Sequence, residues 1–89
     1  MKTEAPNIRG NYPLGGERIG PAWRALWAQL SETDWTDGTE VSREVALADG
    51  LAVETVINLL RTARREGLLE VRMKSVSGGR QRGEYRVIA

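Results

Sequence analysis

Apolar residues in this chain form three helical stripes and then two alternating runs, with polar turns between them. Trp23, Leu26, Trp27 and Leu30 recur at spacings of three, one and three, which places them on one face of a helix. Ile19 extends that stripe from just outside, and Pro21 is expected to open the helix, where a missing N–H does no harm. Val41, Val45 and Ala48 give a second helix its inner stripe. Thr39 is its expected cap, and Glu40 lies near its positive end. Leu47 does not fit the stripe. A third helix is expected over about 52–66, with Val56, Leu59, Leu60 and Ala63 inward and Gly67 as its stop.

The periodicity then changes from helical to alternating. Leu69, Val71 and Met73 alternate with Glu70, Arg72 and Lys74, and Tyr85 and Val87 alternate with Glu84 and Arg86. Between them lies a Gly-rich stretch with two arginines, read as a hairpin tip over 77–83. Residues 31–38 are polar and turn-rich except for Trp35, and Trp35 and Thr36 suit an extended segment by their β propensity. Residues 1–20 hold Pro6, Pro13 and several glycines but few apolar residues. They read as a flexible N-terminal arm, docked if at all through Tyr12 and Leu14. The expected architecture is therefore α+β and mostly helical. A three-helix core over 21–89 ends in a C-terminal two-stranded β-hairpin.

The stretch from Ser42 to Arg61 has an internal logic of its own. Small Ala46 lies where two crossing helices would touch. Gly50 can take the left-handed turn that ends the first of them, and Leu51 can plug the corner. Asp49 departs from this pattern, since an apolar residue is common just before the turn. Downstream, Arg64-Arg65-Glu66-Gly67-Leu68-Leu69 turns a basic helix end directly into a strand. Together these features resemble the winged helix-turn-helix family over residues 21–89. The resemblance implies a second helix bracing against phosphate, a third helix in the DNA major groove, and a wing on the adjacent minor groove or backbone. It implies a small transcriptional regulator, of the kind found in phage or mobile elements, although the short chain departs from the family in leaving no expected room for a C-terminal dimerisation helix or effector domain. It also admits a replication or recombination accessory role, because the fold does not select among these.

Charge sharpens this reading. The net charge is only +1, but residues 1–60 carry 5 Lys/Arg against 9 Asp/Glu, a balance of −4. Residues 61–89 carry 8 against 3, a balance of +5, so the cations collect in the third helix and the hairpin. Nucleic acid needs a basic face rather than a basic molecule. The chain has no Cys and no His. That removes disulfides and thiolate metal sites, together with the commonest metal ligand and general base. No enzyme, metal or cofactor is expected. No apolar run reaches membrane-spanning length, so a cytoplasmic protein is the default.

The candidate DNA contacts follow from side-chain chemistry. Asn58 can bond adenine, Arg61 guanine and Glu54 cytosine; Ala52, Val53 and Ile57 can touch thymine methyls. Glu54 also has a bland role, since an acid in a first helical turn favours the helix dipole. Ser42 and Arg43 are candidates for phosphate at the start of the second helix. Arg65 and Lys74 are phosphate candidates, and Arg80 and Arg82 at the tip suit a minor groove or backbone. Arg64 and Arg72 serve phosphate or nothing. Arg9 and Arg18 belong to the arm. Trp23, Trp27 and Trp35 are expected in the core rather than as base-stacking platforms. The expected partner is double-stranded DNA, with a homodimer on DNA and a protein partner through the arm as further options. The rival from another class is a winged helix that docks a protein through the same basic face.

Overall fold

The first helix, α1 (Gly16–Gln29), starts a turn and a half earlier than Pro21 would dictate. Pro21 lies inside it, and its missing N–H removes one bond, to the carbonyl of residue 17. The ring also crowds that carbonyl, so α1 carries a local cost in its second turn although the proline φ is itself helical. The computed structural model describes residues 4–6, 8 and 16–88, apart from the side chains of 16–19. The expected boundary at residue 20 therefore falls within α1. Ile19 and Arg18 as side chains, and Arg9, Tyr12 and Leu14 altogether, lie outside the described residues. The arm residues that are described do dock. Ala5 and Ile8 pack against the core, and Trp23 Nε1 donates to the Pro6 carbonyl at 2.7 Å.

Two further helices complete the helical layer: α2 (Gly38–Asp49) and α3 (Val53–Arg65). The α2 cap is Asp37, not Thr39; Asp37 Oδ1 accepts from the Glu40 N–H at 2.9 Å. Gly38 then opens the helix where no side chain fits. A Cβ there would lie 2.7 Å from Tyr85 Cε2 and 3.1 Å from the Gly83 carbonyl. At the other end, Gly50 adopts φ 66°, and the Leu51 N–H reaches back to the Ala46 carbonyl at 2.9 Å. This is the sharp turn between α2 and α3 that the sequence predicts.

The core joins all three helices. Leu26, Trp27 and Leu30 from α1 meet Val41, Val45 and Ala46 from α2, and Val56, Leu59, Leu60 and Ala63 from α3. Trp23 and Trp27 pack with ring centroids 5.6 Å apart and planes tilted by 49°. One inner position of α2 differs from expectation. Ala48 is exposed, and Ala46 and Ser42 are buried in its place. Leu47, which fits no stripe, is 87% exposed.

Three antiparallel strands close the domain: β1 (Thr36–Asp37), β2 (Leu69–Ser75) and β3 (Gln81–Val87), in the order β1-β3-β2. The hairpin is thus joined by a third strand, with Thr36 opposite Tyr85. Its tip is tighter than 77–83. β3 begins at Gln81, and a single turn over Ser77–Gly79 is closed by Val76 N–H to Arg80 carbonyl at 2.9 Å. Leu69 and Val87 face each other and anchor the sheet in the core.

Candidate nucleic-acid interface

The helical period that buries Val56, Leu59, Leu60 and Ala63 turns Glu54, Asn58, Arg61 and Arg65 outward, and all four are exposed. Arg64 is exposed as well. Ala52 caps α3 with backbone alone and is exposed, while Val53 and Ile57 are half-buried beside the charged face. Ile57, Arg61 and Arg64, spaced by four and three, form a stripe toward the sheet.

That stripe is one wall of an open groove of about 1040 Å³. The other wall is the inner face of the hairpin, where Val71 lies opposite Tyr85 and Met73 opposite Gly83. Gly38 and Thr39 close one end. The two elements that the sequence marks as basic are therefore adjacent in space and share a concave surface.

The outer face of the sheet behaves differently. In antiparallel pairing, directly opposed residues share a face, so Glu70 meets Arg86 and Arg72 meets Glu84. Both pairs are closed: Arg72 Nε lies 2.8 Å from Glu84 Oε1, and Arg86 bonds Glu70 Oε1. Both guanidinium groups also lie over the Trp35 ring, 4.5 Å (Arg72) and 4.4 Å (Arg86) from its centroid. Trp35 is thus half-buried on the outer sheet face rather than in the core. It precedes a strand too short to carry it inward.

Two of the expected contact residues are relocated by the fold. Ser42 is fully buried, and its hydroxyl has no hydrogen-bond partner among the described residues; covered in this way, it cannot reach a phosphate. It faces inward because it follows Val41 on the same side of α2. Arg82 is not at the tip. It lies in β3 opposite Lys74, and its Nη1 is 3.6 Å from Asp37 Oδ2. The tip arginine is Arg80, which is exposed; Arg43 and Lys74 are exposed too.

The arginines therefore fall into two sets. Arg72, Arg82 and Arg86 each face a carboxylate. Arg24, Arg43, Arg61, Arg64, Arg65 and Arg80 have no carboxylate partner among the described residues. Arg64 was legible as part of the Arg61 stripe, three residues on. Met73 and Gly83 as a facing pair were not, because their meeting depends on the hairpin register.

No group of three or more His, Cys, Asp or Glu that could hold a metal ion is present among the described residues. None of the described helices is long and apolar enough to cross a membrane. Compared with known proteins, the chain matches no family model and has no close match among curated proteins.

Proposed function

We propose that this chain is a winged helix-turn-helix that binds double-stranded DNA with sequence preference and acts as a small cytoplasmic transcriptional regulator without catalytic activity. The observation that carries the reading is the division of the arginines. Among the described residues those on α3 and at the hairpin tip lack carboxylates, as do Arg24 on α1 and Arg43 on α2, while those on the outer sheet face are neutralised. A surface with unmatched guanidinium groups on an outward helix face suits phosphates and base edges. The chain order α1-β1-α2-α3-β2-β3 with the sheet order β1-β3-β2 supports the winged arrangement.

In this reading α3 enters the major groove. Asn58 and Arg61 read bases, and Ile57 meets a thymine methyl at the edge of the contact. Arg65 and Arg64 hold phosphate beyond them. Arg43 reaches phosphate from α2, and Arg80 takes the minor groove or backbone.

The test is selection of bound sites from random duplexes, followed by titration of a selected and a scrambled duplex against salt. Steep salt dependence on both, with tighter binding to the selected site, is the expected result. Asn58→Ala with Arg61→Ala should remove about 1–3 kcal/mol of discrimination per lost bidentate contact. Equal affinity for every duplex at moderate salt would defeat the base-reading part. A salt-independent interaction would defeat the DNA reading altogether.

A further inference from the structure

The groove between α3 and the hairpin has a second property that phosphate does not use. Part of its lining is apolar. Met73 is 58% exposed although it lies on the inner face of the hairpin, and the residue opposite it is Gly83, which has no side chain. The result is a notch bounded by Val71, Met73 and Tyr85 on one side and Ile57 on the other. A Cβ built on Gly83 meets Val71 Cγ2 at 3.5 Å, Tyr85 Cε2 at 3.6 Å and Tyr85 Oη at 3.9 Å, ordinary contact distances, so an added carbon fits at this edge of the notch. Arg61, Arg64 and Arg65 line the same groove.

We propose that this groove docks an acidic protein segment with a large apolar anchor residue, and that the segment excludes DNA from α3. Charge admits this occupant, and shape favours it over a nucleic acid. Carboxylates answer the unmatched arginines as well as phosphates do. A sugar–phosphate strand has no bulky apolar group to fill a notch, whereas a Leu or Trp side chain does. At about 1040 Å³ and open to solvent, the groove suits an elongated segment better than an enclosed small molecule. Arg61 and Arg65 belong both to this groove and to the outward face of α3, so the two ligands compete. Docking does not depend on the DNA reading; only the competition does.

The probe is a fluorescein-labelled synthetic helical peptide with Glu at most exposed positions and one Trp–Leu pair at i and i+4. A control peptide of equal charge carries Ser in place of both. The anchored peptide should bind the full chain at least tenfold more tightly than the control, by anisotropy. Gly83→Val fills the notch and leaves every arginine in place. It should weaken the anchored peptide about tenfold and leave duplex affinity unchanged. Met73→Ser, at an exposed position that tolerates polarity, should also weaken the peptide. Unlabelled anchored peptide should displace a labelled duplex.

Equal binding of the two peptides, or indifference to both variants, would overturn the proposal and leave the groove to nucleic acid. So would failure of the anchored peptide to bind. If the peptide binds through the notch but no duplex binds wild type, docking stands, and both the DNA reading and the competition fail.

Discussion

Arg82 Nη1 lies 3.6 Å from Asp37 Oδ2, tying the last strand to the residue that caps α2. The other Asp37 oxygen accepts from the Glu40 N–H at 2.9 Å. One carboxylate therefore fixes the start of a helix and the position of a strand. Its capping bond is the larger contribution, because Arg82 is 40% exposed and its ion pair is screened by solvent. Asp37→Ala should lower stability by about 1 kcal/mol in urea denaturation, the usual cost of a lost cap. Asp37→Asn keeps the capping oxygen and should recover most of that. Equal losses for the two variants would show that charge, not the cap, is what matters there.

The tryptophans should separate by environment. Trp27 is 5% exposed at the centre of the helical core, and truncation to Ala should cost about 3–5 kcal/mol. For a domain with about 5–15 kcal/mol in total, that moves the melting transition strongly downward. Trp35 lies on the outer face under two arginines, so Trp35→Ala should cost nearer to 1 kcal/mol. Thermal melts of both variants decide this. Comparable losses would mean that Trp35 supports the core through the sheet.

Periodicity made the interior of α3 and the Gly50 turn legible, because both are local. Val56, Leu59, Leu60 and Ala63 recur at helical spacing, and Gly50 is the residue best suited to a φ of 66°. The misreadings share a different cause. Asp37 competes with Thr39 for the cap, and sequence alone cannot show that Tyr85 and the Gly83 carbonyl crowd the position between them, which Gly38 fills as the first residue of α2. Arg82 looks like a tip residue until the register sets it opposite Lys74 and within reach of Asp37. Trp35 reads as core by hydropathy, but two arginines from strands far along the chain hold it outside. Which arginines remain unmatched, the basis of the functional reading, depends wholly on such long-range pairs.

Ser42 offers a test that separates fold from function. Its hydroxyl is buried with no hydrogen-bond partner among the described residues. A buried polar group left unpaired is costly, so Ser42→Ala should be neutral or stabilising, by up to about 1 kcal/mol. Because the side chain is fully covered, duplex affinity should not change. A drop in affinity at unchanged stability would mean that α2 rearranges on binding to expose it.

Arg80 and Arg82 are two residues apart, yet they should behave differently on DNA. Arg80 is exposed at the hairpin tip with no carboxylate partner among the described residues. Arg82 is in β3 beside Asp37, so using it for phosphate would mean breaking an existing ion pair. Arg80→Ala should weaken a selected and a scrambled duplex by similar factors. It should also flatten the slope of log affinity against log salt by about one unit, the signature of one lost phosphate contact. Arg82→Ala should leave that slope unchanged, with any fall in affinity explained by a lower melting temperature. The experiment is a salt titration of wild type and both single variants on both duplexes, with melts run alongside. Equal flattening by the two variants would mean that the Arg82–Asp37 pair opens on DNA, and that the division of the arginines does not mark the interface. Loss confined to the selected duplex would make Arg80 a base reader. No loss from Arg80→Ala would remove the tip from the interface and leave α3 to carry binding alone.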